Sequence, residues 1–299
     1  MTKHLIDISD LTLKEIRQIL LLAKKIKNNP LKFKNLLENK YLGMIFSEQS
    51  ARTRLSFDIG MKKLGGNTIE INQEAIGLGS RESDSDIMNT LSQYIDCLVI
   101  RNINHKKIKL LAGINALPII NGLTDYSHPC QILSDTFTIE ENIGEIQNKT
   151  ICWIGDINNV LRSLVEASKI LGFCLKIASP EQILKKHKSF IRNISSKRIN
   201  FFDDPVKAAS KGDCIMTDVW VSMGDKKSNN KKKLFKNFQV NDKLMDYAKS
   251  KAIFMHCLPA NRGQEVTDSV IDGKKSVVWN QTLNRMYVQQ SILQYLINT

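Results

Sequence analysis

The sequence predicts an α/β protein with two doubly wound domains, each a central parallel sheet flanked by helices. Three observations carry that expectation. Short apolar runs bounded by turn residues alternate with helical stripes along the whole chain. The alternation restarts around residues 145–148, which gives domains of 1–147 and 148–299. The length of 299 residues suits two cores of ordinary size.

Taken in order, Thr12 stands three residues before Glu15 and ahead of Ile16, Ile19, Leu20 and Ala23. That is a capping box within an amphipathic helix over 8–27. Leu42 to Phe46 is an apolar run short enough for a buried strand. The polar turn Ser47-Glu48-Gln49-Ser50 follows, and then Phe57, Met61 and Leu64 fall at i, i+4 and i+7, a helical stripe that Gly65-Gly66 ends. Residues 68–71 form another strand, 72–85 a polar loop with the make-up of a functional lid, and 87–95 a helix. Cys97 to Ile100 is a strand ending at Arg101, 105–113 a helix, and 117–121 a strand. Pro129 marks the start of a helix that continues through 132–141. In the second half, 149–154, 174–179, 199–202, 214–220, 252–256 and 276–279 are expected strands. A helix over 160–171, closed by Gly172, completes the first βαβ unit. That unit lacks G-x-G-x-x-G, so a dinucleotide is not indicated.

Composition narrows the function classes. No run approaches the ~20 apolar residues that span a bilayer, and Met1-Thr2-Lys3-His4 leads into a helical pattern rather than a signal peptide's apolar core. The six cysteines are dispersed with no C-x-x-C pair, which fits a reduced, cytoplasmic protein. The net charge of +13 raises nucleic acid as a partner. Yet the excess is lysine scattered over helix faces, and the aromatics, only 7%, do not interleave with a basic stripe. The expectation is therefore no nucleic acid and no membrane, with a positive field that favours an anionic substrate.

The strand ends hold the chemistry. Ser50-Ala51-Arg52-Thr53-Arg54 falls where a strand turns into a helix. First-turn amides there lack intrahelical partners, and the dipole is positive. Two arginines have the wrong sign for that dipole unless an anion joins them; a solvated helix start is the other reading. Arg101, at the carboxyl end of a parallel strand, either points into the crevice where α/β proteins bind ligands or is a surface arginine. His128 and Gln131 lie at a second helix N-terminus, whose dipole favours neutral imidazole, a donor suited to polarising a carbonyl oxygen. Asp218-Val219-Trp220-Val221-Ser222-Met223-Gly224 and His256-Cys257-Leu258-Pro259 end two further strands, and Asn284-Arg285 opens the last helix. No metal is expected on His128, Cys130, His256 and Cys257, whose spacings do not match zinc pairs. A Cys257–His256 nucleophilic dyad is disfavoured because neighbours on a strand point to opposite faces.

Together these turns resemble the carbamoyltransferase family. S-x-R-T-R is present as SARTR, H-P-x-Q as HPCQ, H-C-L-P as HCLP, and D-x-W-x-S-M-G as DVWVSMG, in the family's order. The last is similar to the ornithine branch and not the aspartate branch, and the likeness runs almost end to end. It implies a first domain that binds carbamoyl phosphate, a second that binds L-ornithine, and a last helix, about 284–299, packing back on the first. It further implies a homotrimer with active sites near subunit interfaces, and no cofactor. Carried over by position, Ser50, Ala51, Arg52, Thr53 and Arg101 cradle the phosphate, while His128, Pro129, Cys130 and Gln131 hold the carbamoyl group. Asn159, Asp218, Ser222 and Met223 take ornithine, and Cys257, Leu258 and Arg285 line the reacting centre. Arg52, Arg101, His128, Cys257 and Arg285 are the residues the resemblance casts as catalytic. The implied reaction yields citrulline, in arginine biosynthesis. Three positions depart from the family pattern. Ala51 replaces the usual threonine, Gly77 replaces a Gln or His that reaches the neighbouring subunit's carbamoyl phosphate, and NQTL before Asn284 lacks the usual acidic residues.

Overall fold

In the computed structural model, which describes residues 2–47, 50–72, 82–102, 104–221 and 229–298, each half of the chain builds its own parallel sheet. The chain divides into two compact units, Met1–Ser134 with Leu283–Thr299, and Asp135–Thr282.

The first unit holds β1 (Tyr41–Phe46), β2 (Asn67–Glu70), β3 (Cys97–Arg101) and β4 (Ile119–Leu123), in the order β2-β1-β3-β4. All pairings are parallel. Its helices are α1 (Leu13–Asn28), α2 (Ala51–Lys63), α3 (Asp84–Ser92), α4 (His105–Gly113) and the first turns of α5 (Pro129–Ile143). The Thr12–Glu15 capping box forms in both directions. β1 and β3 are apolar because both faces are covered, as parallel strands require: Leu42, Ile45, Leu98, Val99 and Ile100 are buried. Gly43 lets β1 lie close to its cover, since a Cβ there would stand 2.4 Å from Ile95 Cδ1.

The second unit holds β5 (Thr150–Ile154), β6 (Cys174–Ala178), β7 (Ile199–Phe202), β8 (Cys214–Thr217) and β9 (Ile253–His256), ordered β7-β6-β5-β8-β9 and all parallel. Around it lie α6 (Asn159–Leu171), α7 (Glu181–Lys186), α8 (Lys188–Ile194), α9 (Pro205–Ala209), α10 (Asn229–Phe235), α11 (Asp242–Asp246) and α12 (Asp268–Ile271). The closing helix α13 (Val278–Ile297) returns to the first unit from Leu283 onward. There Ser291 Oγ donates to the Ile19 carbonyl at 2.7 Å and Gln290 to the Gly60 carbonyl at 3.0 Å.

Both sheets are doubly wound, and each therefore has one place where the winding direction reverses. Ligands of such sheets bind beyond the carboxyl ends of the strands that flank that reversal. In the first unit those strands are β1 and β3, whose ends carry the SARTR turn and Arg101. In the second they are β5 and β8, whose ends carry Gly155 to Asn159 and Asp218.

Two strand expectations need correction. Residues 276–279 are not a strand: Ser276 makes an isolated bridge to Phe254, and Val278 already begins α13. The run Val277-Val278-Trp279 has strand-like composition, but Val278 is buried while Trp279 is 64% exposed as the helix turns. The strand expected over 214–220 stops at Thr217, where Asp218 caps the turn by accepting the Val219 N–H at 2.8 Å. Of the 72–85 loop, residues 73–81, Gly77 included, lie outside the described residues.

Phe57 anchors α2, and with it the SARTR turn, by full burial. Phe57→Ala is expected to cost about 3–5 kcal/mol of stability, measured by denaturant unfolding; a loss under about 1 kcal/mol would contradict that anchoring.

Candidate functional site

The first cluster grows from the ends of β1 and β3. Arg101 closes a fully buried strand and is itself 7% exposed. Arg285, on the second turn of α13, is 6% exposed. Both guanidinium groups donate to one hydroxyl: Arg101 Nη1 lies 3.1 Å and Arg285 Nη2 2.7 Å from Thr53 Oγ1. Thr53 sits in the first turn of α2, just after the Ser50 N-cap, so the positive helix end adds to the two cations. Arg285 Nη1 also donates to Gln131 Oε1 at 3.1 Å, which draws in the first turn of α5.

His128 stands immediately before α5 and is buried. Its pKa lies well below the ordinary 6.5, first because burial disfavours the charged ring and then because Arg285 and Arg101 repel it. The sequence expected this direction from a helix dipole; burial and two arginines supply it here. Burial pushes the Cys130 thiol up to about 12, with Arg285 pulling the other way, and Sγ donates to the Asn121 carbonyl at 3.6 Å. The thiol therefore stays protonated. Pro129 is buried at the head of the helix.

Not every residue of the SARTR turn joins this cluster. Ala51 and Arg52 are exposed and Ser50 is half-buried. Arg54 pairs with Glu70 at 2.9 Å and lies over the Phe46 ring.

The second cluster grows from the ends of β5, β8 and β9. Asp218 is 7% exposed and accepts from Asn158 Nδ2 at 2.7 Å, Cys257 Sγ at 3.2 Å and the Val219 N–H. Burial raises its pKa above the ordinary value, against the pull of His256 and these three donors. Asn158 caps α6 with Oδ1 while its amide group reaches the carboxylate. Asn159, its neighbour, folds its Oδ1 back onto the Val160 N–H at 3.0 Å. Ser222 and Met223 lie outside the described residues.

The HCLP turn is held from beneath. His256 Nδ1 accepts the Leu258 N–H at 2.9 Å, and Nε2 faces Glu265 Oε1 at 3.3 Å with both side chains fully buried. Leu258 has a positive φ of 56°, and the Leu258–Pro259 bond is cis. The His256 N–H donates to Gln281 Oε1 at 3.0 Å, and Gln281 Nε2 to Asp135 at 2.7 Å.

Strand alternation does not separate Cys257 from His256, because Cys257 lies one residue past the end of β9. Donor atoms of Asp218, His256 and Cys257 lie within 4.8 Å of one another. Both ring nitrogens of His256 are already engaged, so the trio does not offer a metal a ready imidazole. His128 and Cys130 belong to the first unit, His256 and Cys257 to the second.

Thus the first cluster offers two buried cations, a helix N-terminus, a neutral imidazole and a carboxamide. This combination suits a phosphate bearing a carbonyl. The second offers a buried carboxylate, suited to an ammonium group. Residues 3–141 match the carbamoyl-P binding domain, and residues 147–296 the Asp/Orn binding domain, of aspartate/ornithine carbamoyltransferase. The chain belongs to the aspartate/ornithine carbamoyltransferase family.

Its relatives include the ornithine carbamoyltransferase of Rhodopseudomonas palustris strain BisA53, 44% identical over 97% of this chain and 96% of that one. The solved ornithine carbamoyltransferase of Pyrococcus furiosus is 41% identical with a TM-score of 0.88, covering 98% of this chain and 96% of the other. The anabolic ornithine carbamoyltransferase of Campylobacter jejuni is 32% identical with a TM-score of 0.87, covering 99% of each. The family's second domain spans Arg285 in sequence, whereas in the fold that residue joins the first unit.

Sequence reading missed Asn158, Glu265 and Gln281. Asn158 had a signal: an asparagine directly before a helical stripe, beyond a strand end. Glu265 and Gln281 had none, since their partners are set by tertiary packing.

Because the folded pKa of His128 is depressed, the folded protein resists taking up a proton that the unfolded chain accepts near 6.5. This residue's contribution to stability is therefore fully present above that pH and declines as pH falls below it. In a nuclear magnetic resonance titration the His128 ring signals are expected to stay at the neutral position from about pH 8 to about pH 5.5. A midpoint near 6.5 would contradict the burial argument.

Proposed function

We propose that the chain is an ornithine carbamoyltransferase. In this reading it moves the carbamoyl group of carbamoyl phosphate to the δ-amine of L-ornithine, giving L-citrulline and phosphate, in arginine biosynthesis. The observation that carries the reading is the convergence of Arg101 and Arg285 on Thr53 beside a neutral His128. Dianion and carbonyl recognition are thereby combined in the first unit, whose residues 3–141 match the carbamoyl-P binding domain. Residues 1–147 serve the carbamoyl phosphate side and 148–299 the ornithine side, with the last helix returning. The working assembly is a cytoplasmic homotrimer, with active sites near subunit interfaces.

In this mechanism Ser50, Ala51, Arg52 and Thr53 present backbone and side-chain donors to the phosphate, while Arg101 and Arg285 neutralise it. His128, Pro129, Cys130 and Gln131 orient the carbamoyl group, and the His128 ring polarises its oxygen. Asp218 attracts the α-ammonium group of ornithine; Asn159, Ser222 and Met223 complete that pocket, and Cys257 and Leu258 border the carbonyl carbon. The neutral δ-amine attacks that carbon, the bond to the phosphate oxygen breaks, and the amine's surplus proton leaves with phosphate or solvent. Positioning and charge stabilisation supply the rate, without a covalent enzyme intermediate. Because an alkyl ammonium titrates near ~10, activity rises toward alkaline pH. A Cys257 thiol hydrogen-bonded to a carboxylate is a poor nucleophile, which favours direct transfer.

Citrulline should form from ornithine and carbamoyl phosphate, and faster turnover of putrescine than of ornithine would overturn the assigned acceptor. Asp218→Asn is expected to raise the KM for ornithine about 10- to 100-fold, the worth of a charge-assisted contact; an unchanged KM would remove Asp218 from the ornithine site. Cys257→Ser should keep substantial activity, and a carbamoyl-cysteine adduct seen by mass spectrometry would refute direct transfer.

A further inference from the structure

His105 is not among the residues that the family motifs assign, yet it touches three successive residues of the turn that delivers His128. It opens α4 and is 8% exposed. Its ring Nδ1 shares a hydrogen bond with Thr124 Oγ1 at 2.9 Å. Its backbone N–H donates to Asp125 Oδ1 at 3.2 Å, and its ring lies against that of Tyr126 with centroids 5.0 Å apart.

Thr124 is the knot of that turn. Its N–H donates to the Ser127 carbonyl at 2.9 Å, and its Oγ1 accepts the Ser127 N–H at 3.1 Å. The Tyr126 N–H also points to Oγ1, at 3.4 Å. His128 follows directly. On its far side the His105 ring is backed by Asp7, with Nε2 3.4 Å from Oδ2, and Asp7 is held in turn by Lys109 at 2.8 Å. An imidazole hydrogen-bonded at Nδ1, faced by a carboxylate beyond Nε2 and stacked on one face is confined on three sides, and such confinement suits the sub-ångström placement of an imidazole four residues beyond Thr124.

We propose that His105 is a positioning residue for the carbamoyl group. Acting through Thr124, it locks the 124–127 turn and so fixes where His128 meets the carbonyl oxygen. This rests on the carbamoyltransferase reading above. It predicts a selective kinetic defect rather than a general loss of structure, because His105 lies away from the Asp218 cluster in sequence and in unit.

The test uses full-length wild type, His105→Ala, His105→Asn, Thr124→Val and the His105→Ala/Thr124→Val double variant. For each, kcat and both KM values are measured, with thermal unfolding as a control. His105→Ala and Thr124→Val should each lower kcat/KM for carbamoyl phosphate at least about tenfold while the KM for ornithine stays within about twofold. His105→Asn, whose amide replaces the group at Nδ1, should recover most of the loss. The double variant should be no worse than Thr124→Val alone, because His105 acts through the Thr124 hydroxyl that Thr124→Val already removes. Additive losses, equal losses for both substrates, or a fall in Tm with unchanged kinetics would overturn the proposal. If His105→Ala does not fold, Thr124→Val and His105→Asn carry the same comparison. A wild type that forms no citrulline would instead refute the reaction assignment.

Discussion

Two guanidinium groups buried against a single hydroxyl are the constraint from which the first unit follows. Placing like charges side by side out of water is costly, so the surroundings must supply compensation at the same spot. Three elements converge to build this arrangement. β3 ends in Arg101, α2 presents Thr53 from its first turn, and α13 brings Arg285 back from the far end of the chain. Burial first, and then the same two cations, keep His128 neutral. An arriving phosphate dianion relieves the repulsion and leaves the imidazole as a donor to the carbonyl.

The second unit applies the opposite sign. Asp218 is buried, and its carboxylate accepts from Asn158, Cys257 and a backbone amide. Burial still leaves its pKa raised, so a cationic ligand gains by restoring a full counter-charge. The turn that carries Cys257 stays in place because His256 grips the Leu258 amide from one side and Glu265 from the other. That pair is internal to the fold, and Cys257 is a hydrogen-bond donor to Asp218.

Much of this was legible in the residues alone. Parallel strands covered on both faces appear as apolar runs, so β1, β3 and β5 were visible without a structure. Which side chains gather in the first cluster was less legible. Arg52 looked as well placed as Thr53, yet the buried arginines meet Thr53, and the Arg285–Thr53 contact joins residues 232 positions apart. Periodicity cannot report such a contact. Asn158 and Asn159 are chemically identical neighbours, and only the helix cap decides which amide reaches Asp218. The false strand at 276–279 arose because β-branched residues also serve as the first turn of a buried helix.

In this reading the Arg101–Thr53–Arg285 convergence is the carbamoyl phosphate site. Calorimetric titration of carbamoyl phosphate into wild type, Arg101→Met and Arg285→Met, without ornithine, tests it most directly. Each substitution removes a buried, charge-assisted contact, so Kd should be about 10- to 100-fold weaker for each folded variant. Wild-type affinity in both variants, with circular dichroism showing both folded, would contradict it.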